Sequence, residues 1–330
     1  MNVRELKIAG QTPGAPFQGF VGLLLSVKPR STKTGNTYAD AEVCDQDGNV
    51  TFRLWSNATL YAGDTKIQGF DALKEYVGSV VAVNGKTDAY NGRTQYVVDV
   101  MQVRKELDPN AYARSSGFSV TELVQELSAK IGEVSALDAP MGAFLSSLFS
   151  DPEFWNRFSV WPAAVSHHHD YRHGLLEHSM SVCRIADAIA RSIPGTDRAL
   201  VIAGALLHDI GKLEAYAFDT PVPASTLAGS ALNHVAPGYA MLLRMAEGRL
   251  SPDRTLALSH ILLSHHGELT YGSPVVPATR EAMIVSHADM LDFQTYVWTA
   301  AMEDMLGDVS EYNNLMKTRM LRLDVKGVEA

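Results

Sequence analysis

The sequence predicts two domains of different class, an all-β domain followed by an all-α domain. Two observations indicate this division: strand-type alternation and turn signals occupy residues 17–104, and helical periodicity dominates from residue 119 onward. The chain has 330 residues, 46% of them hydrophobic, which is enough for two cores. We expect the first domain over 1–105, a linker over 106–118 and the second domain over 119–330.

Five strands are expected in the first domain. Apolar or alternating segments cover 17–27, 37–44, 50–55, 79–83 and 94–103. The pair Asn91-Gly92 predicts a tight hairpin between the last two strands. Residues 72–76 are a candidate short helix between the third and fourth strands. This order of elements is that of the OB-fold barrel.

The second domain is expected to be a bundle of helices. Ser119 with Glu122 forms a candidate capping box that opens the first of them. The helical periodicity predicts eight helices, over 119–131, 139–149, 174–192, 197–209, 230–247, 253–265, 277–300 and 302–317.

Composition excludes several classes of protein. No apolar run is long enough to span a bilayer, and the N-terminus lacks the layout of a signal peptide, so we expect no membrane partner. Cys44 and Cys183 fall in different predicted domains, which argues against a disulfide framework and a cysteine zinc site. A reducing, cytoplasmic setting fits best.

The net charge of −9 is unevenly distributed. Residues 1–105 carry 12 Lys and Arg against 10 Asp and Glu, whereas the remainder carries 16 against 27. An acidic domain attracts phosphate groups only if cations offset its charge. The nearly neutral first domain has grouped basic residues that can contact a polyanion.

Histidine is confined to one segment, since all 11 lie between His167 and His287. Five positions on different predicted helices stand out: His178, His208-Asp209, His234, His265-His266 and Asp289. A bundle can aim such side chains at one interior point. Imidazole and carboxylate ligands without thiolates suit Mn, Fe, Co, Ni or Zn. One buried histidine is usually a core residue, but five such positions are hard to explain by packing. We take His260 and His287 as structural, and we assign no role to His167–His169 or His173.

The order His178, His208-Asp209, Asp289 resembles the motif of the HD-domain superfamily of metal-dependent phosphohydrolases. The segment His168-His169-Asp-Tyr-Arg-His-Gly-Leu-Leu-Glu-His178 is also similar to the YhaM family of 3′-5′ exoribonucleases. Further similarity lies in Leu-Leu-His208-Asp209-Ile-Gly-Lys212 and Ser264-His265-His266-Gly. That family places an OB-type domain ahead of an HD domain. Asp170, Arg172 and His173 depart from its pattern.

The resemblance implies a two-metal site, with Mn as the expected ion and Fe, Co, Ni or Zn as alternatives. His178, His208, Asp209 and Asp289 would hold one ion. Asp209 would bridge to the other, held also by His234 and His265, and His266 could replace or join His265. Two cations about 4 Å apart can clamp the attacking and leaving oxygens of a phosphodiester. Asp209 and Lys212 are the expected catalytic residues, although an ion pair on the surface is an equally good interpretation of Lys212.

The barrel would recruit a single strand by stacking and by charge. Val50, Phe52 and Leu54 should face its core, so Arg53 and Trp55 should face outward, opposite Tyr38. Arg30, Lys33 and Arg93 are expected on adjoining loops. An outward Trp is as often covered by another domain or subunit as by a base.

Three functions remain open at this point. The first is a 3′-5′ exonuclease on single-stranded RNA, with single-stranded DNA as a further substrate. The second is a phosphohydrolase of nucleotides or other small phosphate esters. The third is a nucleic-acid-binding protein with a vestigial site, which the complete ligand set argues against. Polarity comes from the resemblance alone, and the sequence leaves the metal and the subunit number open, a homo-oligomer included.

Overall fold

The computed structural model describes residues 1–165, 168–303 and 305–323. Contacts divide the chain into two compact units. The barrel unit comprises residues 1–114, 220–222 and the described residues from 297 onward. The helical unit comprises Ser115–Asp219 and Pro223–Tyr296. The domain limits expected from the sequence, 105 and 119, stay a prediction.

A mainly antiparallel sheet of seven strands forms most of the barrel unit. Its strands are β1 (Pro16–Ser31), β2 (Thr37–Asp45), β3 (Gly48–Trp55), β4 (Thr59–Ala62), β5 (Thr65–Lys66), β6 (Val80–Tyr90) and β7 (Arg93–Val103). The order along the sheet is β3-β2-β1-β6-β7-β4-β5. A parallel pairing of β3 with β7 closes the five strands β3-β2-β1-β6-β7 into a barrel. The five-strand, OB-like barrel expected from the sequence is therefore confirmed.

One hairpin in this sheet has no counterpart in the sequence-based expectation. Strands β4 and β5 pair with each other, and β4 also runs parallel to β7, with Thr59 opposite Val100. The short helix α2 (Phe70–Lys74) follows them and precedes β6, close to the expected 72–76. The added hairpin thus extends the sheet without disturbing the order of the barrel strands.

The barrel core follows from strand alternation. Val50, Phe52 and Leu54 are buried, as expected. The Phe52 ring packs edge-on against Phe20 at a centroid distance of 5.1 Å. A short helix α1 (Val3–Ala9), capped by Asn2, adds two apolar side chains to this core. Between β6 and β7, Asn91 (φ 51°) and Gly92 (φ 73°) form the expected tight hairpin turn, because both central residues need positive φ.

The helical unit is built from ten α-helices over its described residues. They are α3 (Val120–Leu137), α4 (Ala139–Phe149), α5 (Pro152–Phe158), α6 (Gly174–Ser192), α7 (Arg198–Leu207), α8 (Lys212–Ala215), α9 (Leu227–Leu232), α10 (Val235–Ala246), α11 (Pro252–Ser264) and α12 (Arg280–Met302), the last of which continues beyond the unit. Ser119 caps α3 by accepting the Glu122 N–H. No described helix combines the length and the hydropathy that crossing a bilayer requires.

The C-terminal part is not purely helical, which corrects the all-α expectation. A two-residue ladder pairs β8 (Tyr216–Ala217) with β9 (Ala224–Ser225), and β10 (Val309–Asn313) pairs with β11 (Thr318–Leu321). The helix expected over 302–317 is wrong. Asn313 Oδ1 accepts the N–H groups of Leu315 and Met316, and Lys317 has φ 53°. This asparagine turn closes a hairpin where apolar spacing alone suggests a helix.

The helix that leads to the centre lies in the interior. Every residue of α7 from Ala199 to Leu207 is buried, and α7 packs mainly against α6. A helix that is apolar on all sides has no solvent face. The residues that follow it, His208 and Asp209, are therefore delivered into the core.

Candidate metal centre and barrel surface

The six expected metal ligands come together in the helical unit, each segment supplying one or two of them. His178 lies on α6 and Asp289 on α12, whereas His208 and Asp209 directly follow α7. His234 precedes α10, and His265 follows α11. We call these six side chains the histidine–aspartate centre. Five of them are buried, and Asp289 retains 16% side-chain exposure.

One half of the centre surrounds Asp209 Oδ2. This oxygen lies 3.1 Å from His178 Nε2 and 3.3 Å from His208 Nε2. Asp289 Oδ1 lies 3.3 Å from His178 Nε2 and 3.8 Å from His208 Nε2. Two imidazole nitrogens and two carboxylate oxygens thus face one point.

The other half surrounds Asp209 Oδ1. His234 Nε2 lies 3.1 Å from this oxygen, and His265 Nε2 lies 3.5 Å from it. The two carboxylate oxygens of Asp209 therefore face different pairs of imidazoles. A single carboxylate shared in this way is the arrangement expected of a bridging ligand.

Hydrogen bonds on the far side of three rings fix which nitrogen faces inward. His208 Nδ1 lies 2.8 Å from the Ala205 carbonyl, and His265 Nδ1 lies 2.7 Å from the Leu262 carbonyl. A carbonyl only accepts, so each Nδ1 must carry the proton and each neutral ring keeps a lone pair on Nε2. His178 Nδ1 donates to a carboxylate at 2.9 Å, which leaves its Nε2 as the nitrogen that faces inward.

These inward lone pairs need a positive charge between them. His178 Nε2 and His208 Nε2 are only 3.1 Å apart, and their lone pairs repel unless a proton or a cation intervenes. No described residue donates a well-aligned hydrogen bond to the buried Asp209 Oδ1, although two imidazoles lie close to it. A buried, unsatisfied carboxylate oxygen is costly, and a cation would satisfy it. The residues present thus fit the expected metals.

The pKa values of these groups also favour binding of a cation. Burial lowers the pKa of His234 to about 4, so this ring is neutral at pH 7 and free to bind a cation. Burial opposes protonation of His178 as well, but hydrogen bonds to three carboxylates outweigh it and raise its pKa well above the usual value. Burial favours the neutral form of Asp209, yet the Lys212 ammonium and the His208 imidazole hold its pKa well below the ordinary range. The pocket attracts positive charge.

Lys212 is not the surface residue of the alternative interpretation. It is 6% exposed, and its ammonium group contacts Asp209 Oδ2. Burial opposes its charge, but Asp209 outweighs burial and raises the pKa of Lys212. Lys212 therefore places a permanent cation beside the centre.

Gly211 allows the two halves to meet. Its backbone is ordinary right-handed helical (φ −65°), so it is not needed for a turn. A Cβ atom at this position would lie 1.9 Å from the His234 carbonyl oxygen and 2.5 Å from the Gly238 nitrogen. Only glycine lets the segment after Asp209 approach the start of α10 so closely.

Two further histidines border the centre. His266 groups with His234 and His265 as a possible cation-binding set, but its Nδ1 is bonded to the Tyr271 carbonyl at 2.8 Å. Burial lowers its pKa to about 3. His168 packs edge-on against His178, and burial lowers its pKa to about 2.

The remaining histidines have separate partners. His173 Nδ1 donates to the Ser159 carbonyl at 2.5 Å, just before α6 begins. His260 Nε2 accepts the Ala278 N–H, and His287 is exposed with its Nδ1 on the Met283 carbonyl. His167 lies outside the described residues.

Sequence reasoning missed a set of side chains behind His178. Asp292 contacts His178, His169 and Ser181, and His169 also contacts Tyr171 and Glu177. One signal was available, because Asp292 is three residues after Asp289 and Ser181 is three after His178. This spacing places each pair on one face of a helix.

Four of the six expected nucleic-acid residues lie on β1, β2 and β3, namely Arg30, Tyr38, Arg53 and Trp55. Tyr38 pairs with Trp55 across β2 and β3, with ring centroids 5.2 Å apart, and the Arg53 guanidinium lies 4.3 Å from the Tyr38 centroid. Asp40 accepts hydrogen bonds from both Arg53 and Arg30, each at 2.8 Å. We call these five residues the Tyr38–Trp55 cluster. Asp40 offsets one of its two positive charges.

The other two expected contacts lie outside this cluster. Lys33 is exposed in the connection between β1 and β2. Arg93 begins β7, and its guanidinium contacts Met305 Sδ and the Ala301 carbonyl. Arg93 lies four residues before Val97, which pairs with Arg53 between β7 and β3. Arg30 and Arg93 therefore belong to strands rather than to loops, and Arg93 lies toward the opposite end of the barrel from Trp55.

Residues 175–294 match the family model of the HD domain, and they contain all six side chains of the centre. The helical unit thus contains a region similar to the HD domain, a family of metal-dependent hydrolases. Over most of its length the chain is similar to proteins named 3′-5′ exoribonuclease YhaM. The Listeria innocua protein is 26% identical over 293 residues, which cover 87% of this chain and 88% of the relative. The Bacillus subtilis protein is 28% identical over 278 residues, 82% of each chain.

A solved structure is also similar in part. The crystal structure of the Listeria monocytogenes phosphodiesterase PgpH HD domain matches with 22% identity and a TM-score of 0.27, over 38% of this chain and 67% of that one.

The HD-domain and YhaM resemblance expected from the sequence is confirmed by the family model and the curated relatives. Together they support a nuclease or phosphohydrolase.

Proposed function

We propose that this protein is a metal-dependent 3′-5′ exonuclease that hydrolyses single-stranded RNA, and that single-stranded DNA is a further substrate. The observation that supports it best is the placement of Asp209, whose two oxygens face separate imidazole pairs. His178, His208, Asp209 and Asp289 would hold one ion, and Asp209, His234 and His265 the other. The ions would be Mn²⁺, or else Fe, Co, Ni or Zn.

Bound as a pair, such ions stabilise the charge that develops on the attacking and leaving oxygens of a phosphodiester. The protein's own residues prepare the pocket for this. Hydrogen bonds to Ala205, Leu262 and Asp292 hold three imidazoles in the orientation that aims Nε2 inward. Burial of Asp209 and Lys212 excludes water, which strengthens every charge interaction in the site.

We keep Lys212 as the second proposed catalytic residue, with His266 as a candidate additional ligand. The ammonium group of Lys212 contacts Asp209 and is the one described Lys or Arg paired to the centre. Its proposed role is to bind a non-bridging phosphate oxygen, which carries negative charge in the transition state.

The curated relatives and the barrel surface support RNA as the substrate. The relatives are named exoribonucleases. In the Tyr38–Trp55 cluster, two aromatic rings and two guanidinium groups occupy adjacent strands, and stacking with charge is how barrels of this type hold single strands. Cleavage of a small phosphate ester needs only the centre, so the substrate test must compare both kinds of molecule.

The test uses RNA, DNA and a small phosphodiester with Mn²⁺, and with EDTA as the control. Oligonucleotides labelled at the 5′ end should give a ladder of shortened products, and a blocked 3′ end should prevent cleavage. A protein that hydrolyses the small ester but leaves both oligonucleotides intact would contradict the nuclease proposal. Cleavage of a 3′-blocked oligonucleotide from its 5′ end would contradict the polarity.

A further inference from the structure

Asp292 lies directly behind the histidine–aspartate centre. It stands one helical turn after Asp289 on α12 and is 8% exposed. His178 Nδ1 donates to its Oδ2 at 2.9 Å, and His169 Nε2 lies 3.2 Å from the same oxygen. The Ser181 hydroxyl donates to Oδ1. Three groups thus fix one carboxylate.

The support of His178 differs in kind from that of its neighbours. The rings of His208 and His265 are held by neutral backbone carbonyls, three residues earlier in the chain. His178 alone among these three rings is held by a carboxylate from another helix. A charged acceptor makes an imidazole a stronger electron donor than a neutral acceptor does, and it fixes the ring plane.

The contacts of Asp292 continue away from the centre. His169, its second imidazole partner, has its Nδ1 2.8 Å from the Tyr171 hydroxyl and 3.4 Å from Glu177 Oε1. Glu177 directly precedes His178 on α6. The rings of His169 and His178 are therefore both anchored to the same two helices.

Among the described residues, Asp292 pairs with no Lys or Arg. Over the described part of the chain, its ion-pair contacts are to the imidazoles of His169 and His178. By contrast, Asp187, which is also buried, pairs with Lys130, Arg191 and Arg198. The negative charge of Asp292 is therefore balanced through two imidazoles, one of which belongs to the histidine–aspartate centre.

We propose that Asp292 is a positioning residue that sets the strength and orientation of His178 as a metal ligand. This inference rests on the proposed metal-dependent function, but it concerns a residue outside the six ligands. Loss of such a carboxylate typically weakens metal binding about 10- to 100-fold. Removing only the Ser181 hydroxyl should have a smaller effect in the same direction, because Asp292 would keep its imidazole partners.

The experiment measures Mn²⁺ affinity of the full chain by calorimetry and by the EPR signal of free Mn²⁺. The variants are Asp292→Asn, Ser181→Ala and, as a matched control, Asp187→Asn. We expect Asp292→Asn to bind Mn²⁺ about 10- to 100-fold more weakly and Ser181→Ala a few-fold more weakly. Asp187→Asn should lower the unfolding temperature but leave the affinity of the folded protein unchanged.

The recovery of activity with added Mn²⁺ provides a second measurement. Because Asp292 acts through His178, much of the activity lost in Asp292→Asn should return as Mn²⁺ is raised, which a merely structural defect would not show. Wild-type affinity in both Asp292→Asn and Ser181→Ala overturns the inference and leaves the proposed function intact. A wild-type protein that binds no Mn²⁺ or related ion overturns both. If Asp292→Asn fails to fold, Ser181→Ala decides the question alone.

Discussion

The two units of this protein contain similar pairs of charges in opposite surroundings. In the barrel unit, Arg30, Arg53 and Asp40 meet at the surface above an apolar core. In the helical unit, Asp209 and Lys212 meet in the interior. The same ion pair attracts more strongly in the interior than at the surface. Removing one partner there leaves the other charge buried, with no water to solvate it. Substitutions of equal chemistry should therefore have effects of very different size.

The largest effect is expected at Asp209. Asp209→Asn keeps the shape of the side chain but removes the charge shared by both imidazole pairs. We expect kcat to fall about a thousandfold, since metal ions contribute several kcal/mol of transition-state stabilisation. The measurement is Mn²⁺-dependent hydrolysis of labelled RNA, with circular dichroism to establish folding. The exposed Asp253→Asn on α11 is the control and should retain full activity. Retention of even a tenth of the activity in Asp209→Asn contradicts the proposed role.

The next effect concerns stability. Asp187 is 3% exposed and is bonded to Lys130, Arg191 and Arg198. Asp187→Asn removes the buried carboxylate that these three cations share and leaves them only Glu133, so it should cost about 3 kcal/mol of unfolding free energy. Urea unfolding measures it. A loss below about 1 kcal/mol would mean that Glu133 alone balances the three cations.

The same carboxylate predicts a dependence on pH. Burial favours its neutral form, but hydrogen bonds from Lys130, Arg198 and Arg191 outweigh burial and lower the pKa of Asp187. A lowered pKa in the folded state gives stability that is present above the unfolded value of about 3.9. This stability is lost as the pH falls through the folded pKa. The wild type should lose more unfolding free energy than Asp187→Asn between pH 5 and acid, and parallel curves would contradict this assignment.

A moderate effect is expected on the barrel surface. Trp55→Ala removes one stacking ring of the Tyr38–Trp55 cluster, and stacking contributes about 1–3 kcal/mol per base. RNA affinity, measured by fluorescence anisotropy, should fall about tenfold or more, with hydrolysis of a small ester unchanged. Tyr90, a 62% exposed ring on the β6–β7 hairpin, is the matched control. Equal losses in Trp55→Ala and Tyr90→Ala would contradict a specific role for the cluster.

The smallest effect is expected for an exposed pair. Lys74 and Asp71 on α2 are 46% and 87% exposed and lie 2.6 Å apart. Solvent screens such pairs, so Asp71→Asn should change the unfolding free energy by less than about 0.5 kcal/mol. A loss as large as that of Asp187→Asn would remove the contrast between the two units.

The sequence predicted the structure best where a residue type or pattern has few alternative roles. Histidines on separate helices predicted the centre, because few structural roles need so many, and all six expected ligands lie together. Strand alternation and Asn91-Gly92 likewise predicted the barrel strands and their last hairpin. The Tyr38–Trp55 pairing followed from the facing of Val50, Phe52 and Leu54.

The sequence was least informative where a contact joins distant segments. Asp292 contacts His178 across 114 positions, and its spacing of three from Asp289 places it on the same helix face without indicating that partner. The helix expected over 302–317 overlooked the asparagine turn at Asn313, whose side chain competes with helical hydrogen bonds. Gly211 permits a close contact with the start of α10, which only the folded chain reveals.

Anomalous diffraction from crystals grown with Mn²⁺ tests the central claim most directly. We predict two manganese peaks, one beside Asp209 Oδ2 with His178, His208 and Asp289, and the other beside Oδ1 with His234 and His265. A single peak, or peaks that leave either oxygen of Asp209 without an ion, would contradict the shared-carboxylate centre.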